Sequence, residues 1–297
     1  MKAGIVSIIG RPNAGKSTLL NRIVGEKIAI VSDKPQTTRT RILGTKNYPE
    51  AQIAFVDTPG IHRPLHRMNV RMVDAAVETL HEVDLVMLVH DASARVGHGD
   101  EYVSTLLKGV TIPVVLVLNK IDLIAKARLL PVIEQLRGWH EFSDIVPVSA
   151  ATGDGIDTLE RLLLAKMPEG EPLYPDDFLT DQPQRVIASE TVREKVLQHT
   201  RAELPFSTAV VVDQFEEPDR PGGLMRIYCT ILVEQESQKP IVIGRAGAMI
   251  KQIGTDARRD LEKFFECKVY LDLRVKVKPD WRNDERALDD LGLPRRR

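Results

Sequence analysis

The chain has 297 residues, 43% hydrophobic and 28% charged, a composition that supports buried cores and excludes a disordered polyelectrolyte. At roughly 150 residues per domain, the length predicts two domains. With 41 Lys and Arg against 42 Asp and Glu the formal net charge is -1, so composition announces no nucleic-acid partner, although a near-zero sum can conceal opposed patches.

The opening MKAGIVSIIGRPNAGKS has a single lysine ahead of a short apolar run that breaks at Gly10, with no small-residue cleavage pattern, which argues against a secretory signal. The apolar runs at 85–89 and 112–118 fall far short of the ~20 residues of a membrane span. A soluble or at most peripherally attached protein is expected. Cys229 and Cys267 lie far apart, in no metal-ligand spacing, which argues against a disulfide framework or zinc site and fits a reducing cytosol.

From residue 4 to about 166, short runs rich in Val, Ile and Leu alternate with segments of helical period. This predicts a doubly wound α/β domain with a largely parallel sheet. Strands are expected at 5–9, 53–57, 85–91, 114–119 and 145–147. The segment 167–183, with Pro168, Pro172, Pro175 and Pro183, favours turn or extended backbone. The reading is a first domain over 1–168, a linker over 169–183 and a second domain over 184–297. In the second, a helix at 184–203 precedes strands in TAVVVDQF and MRIYCTILVEQ, then an apolar run at 240–243, a helix to 265 and the alternating strand VYLDLRVKV. That is a small α+β module, ending in Arg295, Arg296 and Arg297 as a frayed tail.

Gly10-Arg11-Pro12-Asn13-Ala14-Gly15-Lys16-Ser17, followed by Thr18, fits the phosphate-binding pattern GxxxxGKS between a strand and a helix. Its glycines let backbone N–H groups turn toward phosphate oxygens, Lys16 reaches the β and γ phosphates, and Ser17 can ligate magnesium. Asp57-Thr58-Pro59-Gly60 ends the next strand, where a carboxylate can hold magnesium through water and a glycine N–H can sense the γ phosphate. Asn119-Lys120-Ile121-Asp122 ends a later strand at the ligand-binding edge. Its Asp122 can accept from guanine N1–H and the exocyclic amine, which selects GTP over ATP. Ser149-Ala150 can offer backbone N–H to the guanine oxygen.

GRPNAGKS, DTPG, NKID and SA in this order resemble the signature of the Ras-like GTPase superfamily. Pro12-Asn13 and Gln36-Thr37-Thr38-Arg39, with Thr40, resemble its bacterial translation- and ribosome-associated branch. The resemblance implies a mobile loop over 31–41 from which a threonine ligates magnesium, Thr38 or alternatively Thr37. Ile61 stands where Ras-like enzymes carry a water-orienting glutamine, so slow hydrolysis is expected. For Asn13 the resemblance implies a potassium ligand near the β and γ phosphates; stabilising the P-loop turn is the other reading. His62 and His66 are spaced for a helical metal pair, but Pro64 between them and the lack of a third ligand favour a second mobile loop.

Gly244-Arg245-Ala246-Gly247 is a GXXG loop between an apolar segment and a helix, the device by which KH domains clamp about four nucleotides of single-stranded nucleic acid. Its place after helix, strand and strand, and before a last strand, resembles a type II KH domain; a helix-entry turn in a protein-interaction module is the alternative. Residues 239–278 carry ten Lys or Arg and five Asp or Glu, a local surplus of five that suits phosphate, with Lys251 beside the loop. GTPase plus KH unit, with the ending VKVKPDWRNDERALDDLG, is similar to the Era family over essentially the whole chain. That similarity implies GTP/GDP and magnesium as cofactors, binding near the 3' end of small-subunit (16S) ribosomal RNA and assistance to 30S assembly. It also implies a cytoplasmic place with peripheral attachment to the membrane face. No DNA partner and a monomer are expected. A GTP-stabilised RNA scaffold with negligible turnover and a transfer-RNA-modifying GTPase are the rival readings.

Overall fold

Strands β1 (Lys2–Gly10), β3 (Ala51–Asp57), β4 (Leu85–Asp91), β5 (Val114–Asn119) and β6 (Asp144–Pro147) pair in parallel. Their apolar runs are buried on both faces, Val6 and Ile8 against Leu19, Leu20 and Phe55 on one side, Ile9, Val86 and Leu88 against Ile61 and Leu116 on the other, as a sheet covered by helices requires. The helices of this unit are α1 (Lys16–Val24), α2 (Arg67–Glu78), α3 (His98–Leu106), α4 (Leu129–Leu136) and α5 (Ile156–Lys166). The computed structural model describes residues 1–32, 34, 37–62, 64, 66–200, 204–218, 220 and 222–293. A strand absent from the expected set, β2 (Ile42–Tyr48), pairs antiparallel with β3, giving the order β2-β3-β1-β4-β5-β6. Its sequence ILGTKNY opens with two aliphatics and turns polar, a pattern tolerated at a sheet edge and too weak to announce itself.

The segment expected as a linker is strapped onto that edge. Thr45 N donates to Leu179 O at 3.0 Å, Leu43 N to Asp181 Oδ1 at 3.2 Å, and Thr180 Oγ1 to Leu43 O at 2.6 Å. Gln52 of β3 clamps the strap from beneath. Its Oε1 accepts from Leu173 N at 2.7 Å and Tyr174 N at 2.9 Å, and its Nε2 donates to Tyr174 O at 2.8 Å. The otherwise unpaired edge is thereby covered.

In the second unit, α6 (Gln184–His199) stops four residues short of the expected end, at an extended Thr200; Glu203 lies outside the described residues, as do Arg295, Arg296 and Arg297. A short α7 (Leu204–Ser207) follows, then β7 (Ala209–Glu216), β8 (Leu224–Val233), α8 (Lys239–Ile243), α9 (Ala248–Phe265) and β9 (Lys268–Val277). The sheet order is β7-β8-β9, antiparallel then parallel. One face packs Ile227, Cys229 and Ile231 against Val192, Ile253, Ala257 and Leu261. The chain order α-β-β-α-α-β is the one expected. At one end of the other face, Met68 and Met72 of α2 (Arg67–Glu78) pack with Ala209, Leu232, Trp281 and Leu288 of the last helix, α10 (Glu285–Asp290), joining the two units.

Candidate functional site

The P-loop leaves β1 at Gly10 and enters α1 (Lys16–Val24) at Gly15. Gly15 has φ +91, and a Cβ there would lie 2.2 Å from Asn119 Nδ2, so both backbone sign and space demand glycine. Asn13 also has a left-handed φ of 64 and is exposed at the turn, a conformation asparagine tolerates better than most residues. Helix α1 has no acid in its first turn, leaving its positive end open to an anion. Lys16 is 5% exposed and donates to Gly10 O at 3.2 Å and Arg11 O at 3.0 Å. Burial pulls its amine down to about 8, against the opposing attraction of Asp57.

Below the loop, three oxygens from three segments converge. Ser17 Oγ donates to Asp57 Oδ2 at 2.6 Å, Thr38 Oγ1 donates to the same oxygen at 3.1 Å, and the two hydroxyls lie 2.7 Å apart. Asp57 is wholly buried, which raises its carboxyl above the ordinary range despite Lys16 and the two hydroxyls, and its Oδ1 is buried with no hydrogen-bond partner among the described residues. A hard oxygen set with an orphaned carboxylate oxygen fits magnesium. Thr37 points elsewhere, its Oγ1 donating to Lys34 O at 2.8 Å. Arg39 is buried beneath Trp281, 5.3 Å from the ring centroid, and Thr40 is half-buried; Gln36 lies outside the described residues. The cleft lined by Lys16, Ser17, Thr18, Thr38 and Gly60 holds only about 40 Å³.

Thr58 spends its hydroxyl on Ile8 O at 2.8 Å, and after Pro59, Gly60 lies directly against Pro12. Ile61 N donates to Gly10 O at 3.0 Å, and its side chain is wholly buried in the core. It therefore takes no part in orienting water. His62 Nδ1 lies 2.9 Å from Gly60 O and its Nε2 2.8 Å from Asn69 Nδ2, while His66 stands at the N-cap position of α2 without a side-chain capping bond.

On the base side, the Asn119 side chain bonds two loops of the protein. Nδ2 donates to Ala14 O and Oδ1 accepts from Ala150 N, both at 2.9 Å, so the residue staples the P-loop to the SA loop. Ser149 N donates to Asp154 O at 2.8 Å. The two N–H groups expected for the guanine oxygen are thus engaged within the protein. Lys120 has φ 65 and pairs with Asp91 at 2.6 Å, with its Cε passing close to Gly15. Ile121 is half-buried, and Asp122 is exposed at the rim. Two residues brace the site: Arg22, which had no sequence signal, donates to Ala150 O at 3.0 Å, and Arg11, named in the sequence only as a P-loop residue, pairs with Asp100 at 2.5 Å, which also lies 3.1 Å from His90 Nδ1.

In the second unit, the GXXG loop projects between α8 and α9 with three departures from right-handed backbone, at Gly244 (φ 74), Ala246 (φ 49) and Gly247 (φ 79). A Cβ on Gly244 would lie 2.6 Å from Met249 Cβ. Arg245, Ala246 and Lys251 are exposed. The apolar segment before the loop is only partly buried: Val242 is enclosed, but Ile241 is 52% exposed at the loop's entrance, an apolar surface beside the basic one.

The family described as 50S ribosome-binding GTPase matches residues 5–120, and the KH domain family matches residues 203–282. The chain is 52% identical to the GTPase Era of Geobacter metallireducens over 98% of this chain and 97% of that protein. It is 50% identical to the GTPase Era of Syntrophus aciditrophicus, over 98% and 95%. A crystal structure of Era in complex with MgGDPNP and nucleotides 1506–1542 of 16S ribosomal RNA superposes with a TM-score of 0.95 at 43% identity, covering 99% of this chain and all of that one. A tyrosine-to-alanine variant of Aquifex aeolicus Era bound to GDP·AlF4- gives 0.94 at 42% identity, with the same coverage.

Proposed function

The chain belongs to the Era family of GTPases, and from that premise we propose the work of its residues: it binds GTP with magnesium, hydrolyses it to GDP and phosphate, and couples that cycle to RNA held by the second unit. The RNA is the 3' region of 16S ribosomal RNA and the task is assembly of the 30S subunit. The carrying observation is the convergence of Ser17, Thr38 and Asp57 beneath the P-loop, in a chain that also presents the exposed GXXG loop.

Lys16, drawn off its two carbonyls, meets the β and γ phosphates. Ser17 and Thr38 supply hydroxyl oxygens to magnesium and Asp57 holds it through water, where the ion neutralises phosphate charge. Gly60 N–H faces the γ phosphate, and Asp122 reads the guanine edge. Arg245, Lys251 and the GXXG backbone hold the RNA phosphates. Asn13, exposed on the P-loop, is the residue for a potassium ion that supplies the charge Ile61 cannot. Multiple-turnover phosphate release in potassium and in sodium tests both steps. Lys16→Ala abolishes release, and sodium slows it; equal rates in the two salts remove potassium from Asn13.

A scaffold with negligible turnover is favoured only by the buried Ile61, and sustained phosphate release excludes it. The cytoplasm is the expected place. Among the described residues no helix is long and apolar enough to cross a membrane, and peripheral attachment is read by co-flotation with anionic vesicles.

A further inference from the structure

The two faces of the C-terminal sheet differ. Residues paired across neighbouring strands share a face, so the register puts Arg226 beside Tyr270 and Tyr228 beside Asp272, with Lys268 and Arg274 in the flanking rows. This is the face that α6 and α9 leave uncovered, since the helices pack on the alternating set Ile227, Cys229 and Ile231. Tyr270 is 48% exposed, and its ring centroid lies 5.8 Å from that of Tyr228, inclined at 59°. The Arg226 and Arg274 side chains are 48% and 75% exposed, and their carboxylate neighbours, Glu216 at 3.8 Å and Asp272 at 3.6 Å, sit at the outer limit of an ion pair.

We propose that this open face is a second RNA-binding surface, on which Tyr228 and Tyr270 stack unpaired bases while Arg226, Lys268 and Arg274 hold the intervening phosphates. The inference rests on the reading of the second unit as an RNA binder and extends it beyond the GXXG loop. Aromatic rings interleaved with long cations are the arrangement that takes single-stranded nucleic acid with little sequence preference, because every base has a π face.

The test is fluorescence anisotropy on the full chain loaded with a non-hydrolysable GTP analogue, using two labelled RNAs. One is a tetranucleotide, about the length a GXXG loop clamps; the other is an unstructured strand of roughly 20 nucleotides, long enough to reach further. Replacing both tyrosines with alanine weakens the long strand roughly tenfold or more and leaves the tetranucleotide unchanged, while Tyr228→Phe with Tyr270→Phe keeps wild-type affinity for both. Arg245→Asp with Ala246→Asp loses the tetranucleotide. Unchanged binding of the long strand by the alanine pair overturns the proposal. So does equal loss of both RNAs, which would assign the tyrosines to the GXXG groove or to the fold. Failure of the wild-type chain to bind either RNA removes the underlying reading itself.

Discussion

Lys16 carries a consequence for pH at the level of a single residue. In the nucleotide-free protein burial lowers its amine to about 8, whereas phosphate oxygens beside it stabilise the charged form and raise it again. Binding therefore takes up a proton once the pH exceeds about 8 and takes up none well below it. By linkage, affinity is flat up to that point and then falls by as much as tenfold per pH unit. Titration calorimetry at pH 7 and pH 9 in buffers of different ionisation enthalpy reads the uptake directly, and Lys16→Met abolishes it. Asp122→Asn should weaken GTP roughly 10- to 100-fold, the worth of a hydrogen bond to a charged group. It should favour a base with a carbonyl where guanine has its amine, so competition between GTP and xanthosine triphosphate measures the swap. Ser17 and Asp57 were legible as candidates from their motifs and the pair Thr37/Thr38 only through the family resemblance, and geometry separates the threonines. Arg11 with Asp100, and Asn119 as a staple, were not, because each depends on partners brought close only by the fold.

Among the elements, the central parallel strands were readable because burial on both faces writes an uninterrupted aliphatic run. Strand β2 was missed because an edge strand needs no such run, and α6 was overextended because nothing local marks the extended Thr200. The proline-rich strap was recognised by composition, but its docking on β2 depends on Gln52, a polar residue with no exposure at the start of a core strand. Such a residue is worth most where all its hydrogen-bonding groups are satisfied. Gln52→Leu leaves Leu173 N–H, Tyr174 N–H and Tyr174 O without their partner and should cost about 3 kcal/mol. Thermal denaturation should show a melting temperature lower by several degrees, and limited proteolysis should cut faster between residues 169 and 181. The GXXG loop was legible for the opposite reason to β2, since positive φ restricts the residue types that can occupy it.

For the molecule as a whole, the opening near-neutral charge hid the feature that matters, a basic stretch over residues 239–278 in a unit joined to a nucleotide switch. The structure supplies the joint. Arg193 of α6, 1% exposed, donates to Thr37 O and pairs with Glu190 at 2.5 Å; Glu194 accepts from Val31 N at 2.8 Å and from Lys27 at 2.6 Å. Burial and the like charge of Arg193 press Arg39 down from the ordinary guanidinium range. On the other side Arg71 of α2 bonds Asp289 at 2.9 Å and Leu293 O at 2.6 Å. The loop proposed as a switch and helix α2 thus both touch the unit that bears the GXXG loop, which gives a physical path for coupling. The most direct test is the affinity of the full chain for the 3' segment of 16S ribosomal RNA, measured with GDP and with a non-hydrolysable GTP analogue, in wild type and in Arg193→Ala. The expected result is RNA binding that differs between the two states by roughly 5- to 100-fold, tighter with the GTP analogue, and a difference that shrinks toward unity in Arg193→Ala. Equal affinities in wild type would contradict the coupling, because a nucleotide without preference between states shifts nothing.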